Sequence, residues 1–451
     1  MTDVGPLYSA VHDPEAGLSS LARGIVGSEI LKISAQIRAL AAKGAVLCNL
    51  TVGDFDPKYF PIPNELLEGT RAALAAGHTN YPPSDGVLAL REAVVRLYER
   101  EWGLKFPLDS VLVAGGARPL LYGAYKTLIT PGDVAVYPVP SWNNNHYATL
   151  TGAQRVELAV APQSNFFPTV EQLRPHLKKA RLLCLNSPLN PTGTAIDRKL
   201  LQQIALEVLQ ENKRRQSSNG EKPLYLVYDQ VYWTLTFGAV KHVTPLELVP
   251  EIAPYTLLLD AISKAFCATG LRVGWAVMPP AIRKHMMDIL GHIGAWAPKA
   301  EQVAAAGLLD APEKVKTFQT DLKAKVKARL DALYEGFSAM KQDGFPVEAI
   351  APQGAIYLSA RFNLFGKGLR GRTIRTNEEI RQLLLEEAGV AVVPFQAFGL
   401  KEDTGWFRLS VGAVSMEDIA AIFPRLRALL ASIATSPSGS AIPSQNKELV
   451  R

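Results

Sequence analysis

A single lysine, Lys264, follows the apolar run "YTLLLD" in the stretch "DAISKAFCATGLRVGW" (260–275). An amine buried at a strand end is desolvated, which lowers its pKa toward the neutral, nucleophilic form. Ser263 beside it supplies a hydroxyl, and Arg272 offers a planar donor set suited to phosphate or carboxylate. Asp229 closes another apolar run, "LYLVYD", where a carboxylate needs a cationic or strong-donor partner. Arg408 lies inside the apolar stretch "WFRLSVG" and needs an anion, from the protein or from a ligand. Two further segments bring Asn186 and Asn190, in "CLNSPLNPTGTAI", and Trp142, which follows two prolines in "YPVPSWNNNH". In "AGGARPLLYGAYKTL", Gly115 and Gly116 precede a helix, whose first N–H groups are free to hold an anion.

Each residue also has a plainer reading. The glycines suit a tight turn, Asn-Pro is a common turn dipeptide, Trp142 suits surface packing, and Asp229 suits an internal salt bridge. Together they ask for more. A phosphate cradle, a ring platform, a polar partner for a phenolic oxygen, an acid for a pyridine nitrogen and a lysine for an aldehyde are the requirements of pyridoxal 5'-phosphate.

The elements that must position these residues are strands alternating with helix-sized segments from about residue 110 to 280. The strands are "VLVAG", "VAVYP", "RVELAV", "RLLCLN", "LYLVYD", "YTLLLD" and "VGWAVM". Continuous apolar strands separated by helices predict an α/β fold with a mostly parallel seven-stranded sheet covered on both faces. Ligands bind such sheets at the strands' carboxyl ends, where the polar residues above stand. Both chain ends predict a smaller α+β domain. The expected division is 1–58 for an N-terminal arm and part of the small domain, 59–315 for the large domain, 316–434 for the small domain, and 435–451 for a disordered tail.

The 451 residues, 48% hydrophobic and 20% charged, indicate a folded globular chain. The net charge of +6 is scattered, and its densest cluster, "ENKRRQSSNGEK" (211–222), reads as a solvated helix end and loop, which argues against nucleic acid as a partner. Cys48, Cys184 and Cys267 lie far apart, without a disulfide framework or metal-ligand spacing, as expected in a reducing cytoplasm. The polar N-terminus does not read as a signal peptide, and no apolar run approaches the ~18 residues of a membrane span.

On these motifs the chain resembles the class I/II aminotransferases, the aspartate-aminotransferase-like branch of fold type I pyridoxal-phosphate enzymes. "SKAFCATGLRVGW" is similar to the family's lysine motif, which implies that Lys264 carries the cofactor's aldehyde and Arg272 binds its phosphate. The resemblance further implies Asn190 of "NPTG" and Tyr232 of "YDQVY" at the phenolic oxygen, Asp229 at the pyridine nitrogen and Trp142 stacked on the ring. It implies Gly116, Ala117, Arg118 and Ser263 around the phosphate, and Tyr81 of "TNYPPSDG" reaching the phosphate of a neighbouring subunit, hence a homodimer. Arg408 would clamp the substrate's α-carboxylate, with Gly53 of "LTVGDFDP" in the loop closing over it, alongside Trp142 and Asn190.

The chain departs from the pattern at four places. Ala261 stands where many relatives have a small polar residue, leaving more of the phosphate contact to Ser263. The loop "PFQAFG" is expected to place Phe395 and Gln396 at the pocket mouth. The region near Trp296 lacks an arginine for a second substrate carboxylate. Ala117 replaces a lysine of one subgroup, with Arg118 adjacent as a candidate for that role. The implied activity is amino-group transfer between an L-amino acid and a 2-oxo acid, with aspartate and 2-oxoglutarate as one candidate pair. The same cofactor residues also suit a carbon–sulfur β-lyase or a γ-eliminase. A ligand-sensing domain of a regulator would need a DNA-binding unit of roughly 60–80 residues in front, for which the segment before Gly53 reads as too short and wrongly patterned.

Overall fold

A computed structural model describes residues 3–8, 15–25, 27, 29–44, 46–218, 220–369 and 372–434; the tail expected at 435–451 lies outside them. Seven strands form the main sheet: β1 (Val111–Ala114), β2 (Val134–Val139), β3 (Gln154–Ala159), β4 (Ala180–Asn186), β5 (Tyr225–Asp229), β6 (Thr256–Ala261) and β7 (Gly274–Val277). Their order is β1-β7-β6-β5-β4-β2-β3. All neighbours are parallel except β7, which runs antiparallel to both β1 and β6. Every residue of β6 is buried, as a strand covered on both faces requires. Helix α1 (Ala117–Leu128) follows β1 and buries Leu120, Leu121, Ala124, Tyr125 and Leu128, spaced as one helical face.

A second, antiparallel sheet holds β8 (Val347–Ala349), β9 (Tyr357–Phe362), β10 (Val393–Pro394) and β11 (Trp406–Ser410), in the order β10-β11-β9-β8. The long helix α2 (Pro312–Gln342) leads into it. Its buried Leu322, Val326, Leu330, Leu333, Phe337 and Met340 repeat every three or four residues, so one continuous stripe faces this second core. The two ends of the chain meet here, because Cys48–Asn49 pairs in parallel with Val390–Ala391.

One expectation is corrected. Glu211 and Arg215 are not a solvated helix end: both are buried in the helix Arg198–Gln216. The Arg215 guanidinium donates to Glu211 and to the carbonyls of Leu177, Ala180 and Lys222, tying three segments together. Carbonyls far apart in sequence supply these partners, so local polarity did not reveal them.

Candidate active site

The strands of the main sheet deliver their polar end residues to one edge. Asp229 closes β5 opposite Asn186 at the end of β4. Asn186 then organises the next turn: its amide donates to the Asp229 carbonyl at 2.9 Å, and its Oδ1 accepts from the Asn190 N–H at 2.9 Å. Asp229 forms no ion pair among the described residues. Its carboxylate accepts one backbone N–H, from Val231 at 3.2 Å, and burial pushes its pKa up to about 6. The salt-bridge reading of this residue is therefore not realised, and a strong donor is still wanted there.

The loop bearing Asn190 is clamped between the two sheets. Gly193 has φ +72°, and a Cβ there would sit 2.0 Å from the Tyr357 carbonyl oxygen of β9. Ser359 fastens the same loop by donating to the Thr192 carbonyl at 2.8 Å. From the second sheet comes Arg408 of β11, 1% exposed. Its Nη1 donates to Asn190 Oδ1 at 3.1 Å and its Nη2 to the Thr51 carbonyl at 2.7 Å, while Nε has no partner. No carboxylate pairs with this guanidinium among the described residues, and burial lowers its pKa.

Lys264 lies in the short helix Ile262–Ala265 that follows β6. Its Nζ donates to the Gly53 carbonyl at 2.6 Å, and burial pulls its pKa down to about 8, partly opposed by the Asp54 carboxylate. Asp54 accepts from the Thr269 hydroxyl at 2.7 Å. Arg272 donates to the Thr269 carbonyl and to the Gly115 carbonyl, both at 2.7 Å. A Cβ on Gly116, whose φ is +92°, would fall 2.4 Å from Arg272 Nη2, so only glycine leaves room for the guanidinium beside the start of α1. Ala261, fully buried, pairs with Gly274, which is itself packed against Gly116. Ser263, two positions after Ala261, is half-buried.

Aromatic side chains line the remaining wall. The Arg118 guanidinium lies 5.0 Å from the Trp142 ring centroid, Phe398 is 6.2 Å beyond Trp142, and the Arg408 guanidinium lies 4.8 Å from Phe398. Phe398, rather than Phe395, faces this wall. Phe395 is fully buried against Phe166 and Trp406, and the Gln396 amide is spent on Asn377, Asp403 and the Glu402 carbonyl. Tyr232 is buried with its hydroxyl 2.6 Å from that of Tyr357. Tyr81 stands apart from the cluster, 81% exposed and edge-on to Trp296 at 5.2 Å.

Thus the structure gathers Gly53, Gly116, Ala117, Arg118, Trp142, Asn190, Asp229, Tyr232, Ser263, Lys264, Arg272 and Arg408 along one edge, and leaves Tyr81 on the surface. Sequence reasoning missed Thr51, Asp54, Thr269, Tyr357 and Phe398. A polar-tipped aromatic within the apolar run "GAIYLSARF" was the one available signal for Tyr357.

The family model "Aminotransferase class I and II" matches residues 46–426. An aspartate aminotransferase of Geobacillus stearothermophilus is 30% identical over 391 residues, 86% of this chain and 93% of that protein. A probable aspartate/prephenate aminotransferase of Thermus aquaticus is 31% identical over 388 residues, 85% of this chain and 93% of the relative. Among solved structures, the aspartate aminotransferase of Rhizobium meliloti superposes with a TM-score of 0.82 at 28% identity, covering 92% of this chain and 98% of that one. The fold follows that of these enzymes, and the chain belongs to the class I and II aminotransferases, which work with pyridoxal phosphate.

Proposed function

We propose that the enzyme transfers an amino group between an L-amino acid and a 2-oxo acid at the edge where Lys264, Asp229 and Arg408 converge, with aspartate and 2-oxoglutarate as the first pair to test. The observation that carries this reading is Arg408, a buried guanidinium with no carboxylate partner among the described residues and one unpartnered N–H. A buried unpaired cation is costly, and a substrate α-carboxylate supplies the missing charge and acceptors.

The residues also fit the cofactor. Asp229, buried with no cationic partner among the described residues, suits a protonated pyridine nitrogen. Arg272 and the N–H groups of Gly116, Ala117 and Arg118 suit a phosphate at the start of α1, with Ser263 beside them. Trp142 offers a ring face, and Asn190 and Tyr232 offer polar atoms to a phenolic oxygen. Lys264 would carry the aldehyde. Bound there, pyridoxal phosphate supplies an electron sink for the charge left at Cα when its proton departs.

The chain's own groups do the rest. Arg408 and Asn190 hold the carboxylate, which fixes the Cα–H bond relative to Lys264. Freed when the substrate's amine takes its place on the cofactor, Lys264, with its proton affinity lowered by burial, would remove the Cα proton and deliver it to the carbon on the other side of the transferred nitrogen. Trp142 and Phe398 close the wall against water. Arg118, over the Trp142 ring and without an ion pair among the described residues, is a cation available for a second carboxylate. The relatives named as aspartate aminotransferases support that pairing.

The exposed Tyr81 supports a homodimer in which it serves the neighbouring subunit's phosphate. Three buried, unpaired cysteines support a cytoplasmic setting. No helix among the described residues is long and apolar enough to cross a membrane.

The test is turnover with a panel of amino acids against 2-oxoglutarate, oxaloacetate and pyruvate, alongside Lys264→Ala. The expected result is transfer to an oxo acid, with the variant losing its lysine-bound visible absorbance and nearly all turnover. Borohydride-reducible cofactor on another lysine, or release of ammonia without an acceptor, would overturn the reading.

A further inference from the structure

Tyr357 touches both halves of the site and has no role assigned above. Its hydroxyl lies 2.6 Å from the Tyr232 hydroxyl, with the two rings edge-to-face at 5.6 Å. Its ring face carries the Arg408 guanidinium, 4.7 Å from the centroid. The residue is 1% exposed on β9, and two glycines come close to it on the site side. Gly193 abuts its carbonyl, and a Cβ on Gly53 would come within 3.0 Å of its hydroxyl.

These contacts have a direction. Tyr232 has one O–H to donate, and in the reading above it donates to the phenolic oxygen of the cofactor. Its oxygen is then left to accept, and the hydroxyl facing it is that of Tyr357, which must be the donor. A cation on the face of a phenol withdraws electron density and strengthens that donor. The chain Arg408–Tyr357–Tyr232 therefore ends at the cofactor oxygen and begins at the guanidinium that binds the substrate carboxylate. When a carboxylate neutralises Arg408, the pull on Tyr357 weakens, Tyr232 becomes a poorer donor, and the proton affinity at the lysine-bound cofactor rises.

We propose that Tyr357 is a positioning residue that reports occupancy of Arg408 to the lysine–cofactor linkage through Tyr232. The proposal rests on the assignments of Lys264, Tyr232 and Arg408 made above. It adds a second line of communication beside the direct Arg408–Asn190 hydrogen bond.

The experiment is a spectrophotometric pH titration of the holoenzyme's visible band, with and without succinate as a carboxylate lacking an amino group. Unmutated protein and Tyr357→Phe, which keeps the ring and the packing, are compared. In Tyr357→Phe the midpoint of the free enzyme should rise by roughly half to one pH unit. The succinate-induced shift should fall to less than half its original size, with succinate affinity within about twofold and kcat lowered several-fold at near-constant KM. A merely structural role would instead lower the melting temperature and weaken succinate together, leaving the size of the shift at saturation unchanged; that result overturns the proposal. Equal midpoints and equal shifts overturn it as well. If the unmutated holoenzyme shows no pH-dependent visible band, the Lys264 reading fails and takes the relay with it. Asn190→Ala separates the two lines, since it should leave part of the succinate shift in place only when Tyr357 is intact.

Discussion

The Asp54 carboxylate accepts the Thr269 hydroxyl at 2.7 Å, joining the loop that offers its Gly53 carbonyl to Lys264 with the turn that offers its Thr269 carbonyl to Arg272. One hydrogen bond thus steadies the groups proposed to hold the two ends of the cofactor. Asp54 also opposes, through its charge, the fall in the Lys264 pKa. In cofactor-free protein, the pH dependence of pyridoxal-phosphate capture should therefore show a midpoint near the Lys264 value in the unmutated chain and a lower one in Asp54→Asn. Thr269→Val keeps the charge and should loosen cofactor retention with little change in that midpoint. Identical midpoints for the Asp54→Asn variant and the parent would contradict the account.

Gly193→Ala tests the clamp between the sheets. A methyl group there meets the Tyr357 carbonyl while the backbone holds φ +72°. The loop must move or the sheets must part, at a cost of about 3 kcal/mol. Denaturant unfolding should show that loss, and activity should fall with it because Asn190 rides on the same loop. An unchanged midpoint of unfolding would show that the clamp is slack.

Arg408→Gln removes the cation but keeps donors. Loss of a buried charged partner to a carboxylate costs about 3–5 kcal/mol, so kcat/KM should fall by roughly 10²–10⁴ for every amino acid tested. Arg408→Lys should recover only part, because an ammonium cannot present the forked donors that reach Asn190 and the Thr51 carbonyl. Arg118→Ala should behave differently, lowering kcat/KM for aspartate relative to alanine or phenylalanine. A uniform loss, or none, would remove Arg118 from substrate selection.

Two groups give the cofactor-free protein opposite pH slopes. Asp229 has its folded pKa raised to about 6, so the folded state holds more protons than the unfolded one from the ordinary carboxylate range up to 6. Its contribution to stability falls as pH rises through that window. Lys264 has its folded pKa lowered to about 8 from 10.5, so the unfolded state holds more protons between those values, and stability from this group rises with pH there. Asp229→Asn should flatten the acid-side slope, and Lys264→Met should gain stability below pH 8 and lose that advantage toward pH 10.5. Calorimetric melts across pH read both, and a parent-like slope in either variant would refute the corresponding assignment.

The main sheet was legible because strands buried on both faces admit almost no polar residue before they end. Asp229 and Lys264 stood out for that reason, as did Arg408 inside its apolar strand. What stayed hidden was set by distant partners. Tyr357 meets Tyr232 across 125 positions of chain, and Arg215 finds its carbonyls on other elements. The "PFQAFG" loop was misread for a local reason. In the short turn Phe395–Phe398 the first phenylalanine turns into the core with Phe166 and Trp406, and the last one faces Arg408. Composition cannot say which of two phenylalanines in one turn points inward.

Strand β7 runs against its neighbours, and this reversal governs how far the chain must travel around the site. β6 ends at the working edge with Lys264 just beyond it, and an antiparallel successor begins at that same edge. Arg272 can therefore stand beside the Gly115–Gly116 turn only eight positions after the lysine. A parallel β7 would have carried the chain to the far side of the sheet first, through a crossover of a dozen or more residues. The proposed grip of Lys264 and Arg272 on two ends of one small molecule is thus a property of strand direction. An insertion between Cys267 and Leu271 would lengthen that span without disturbing the sheet itself.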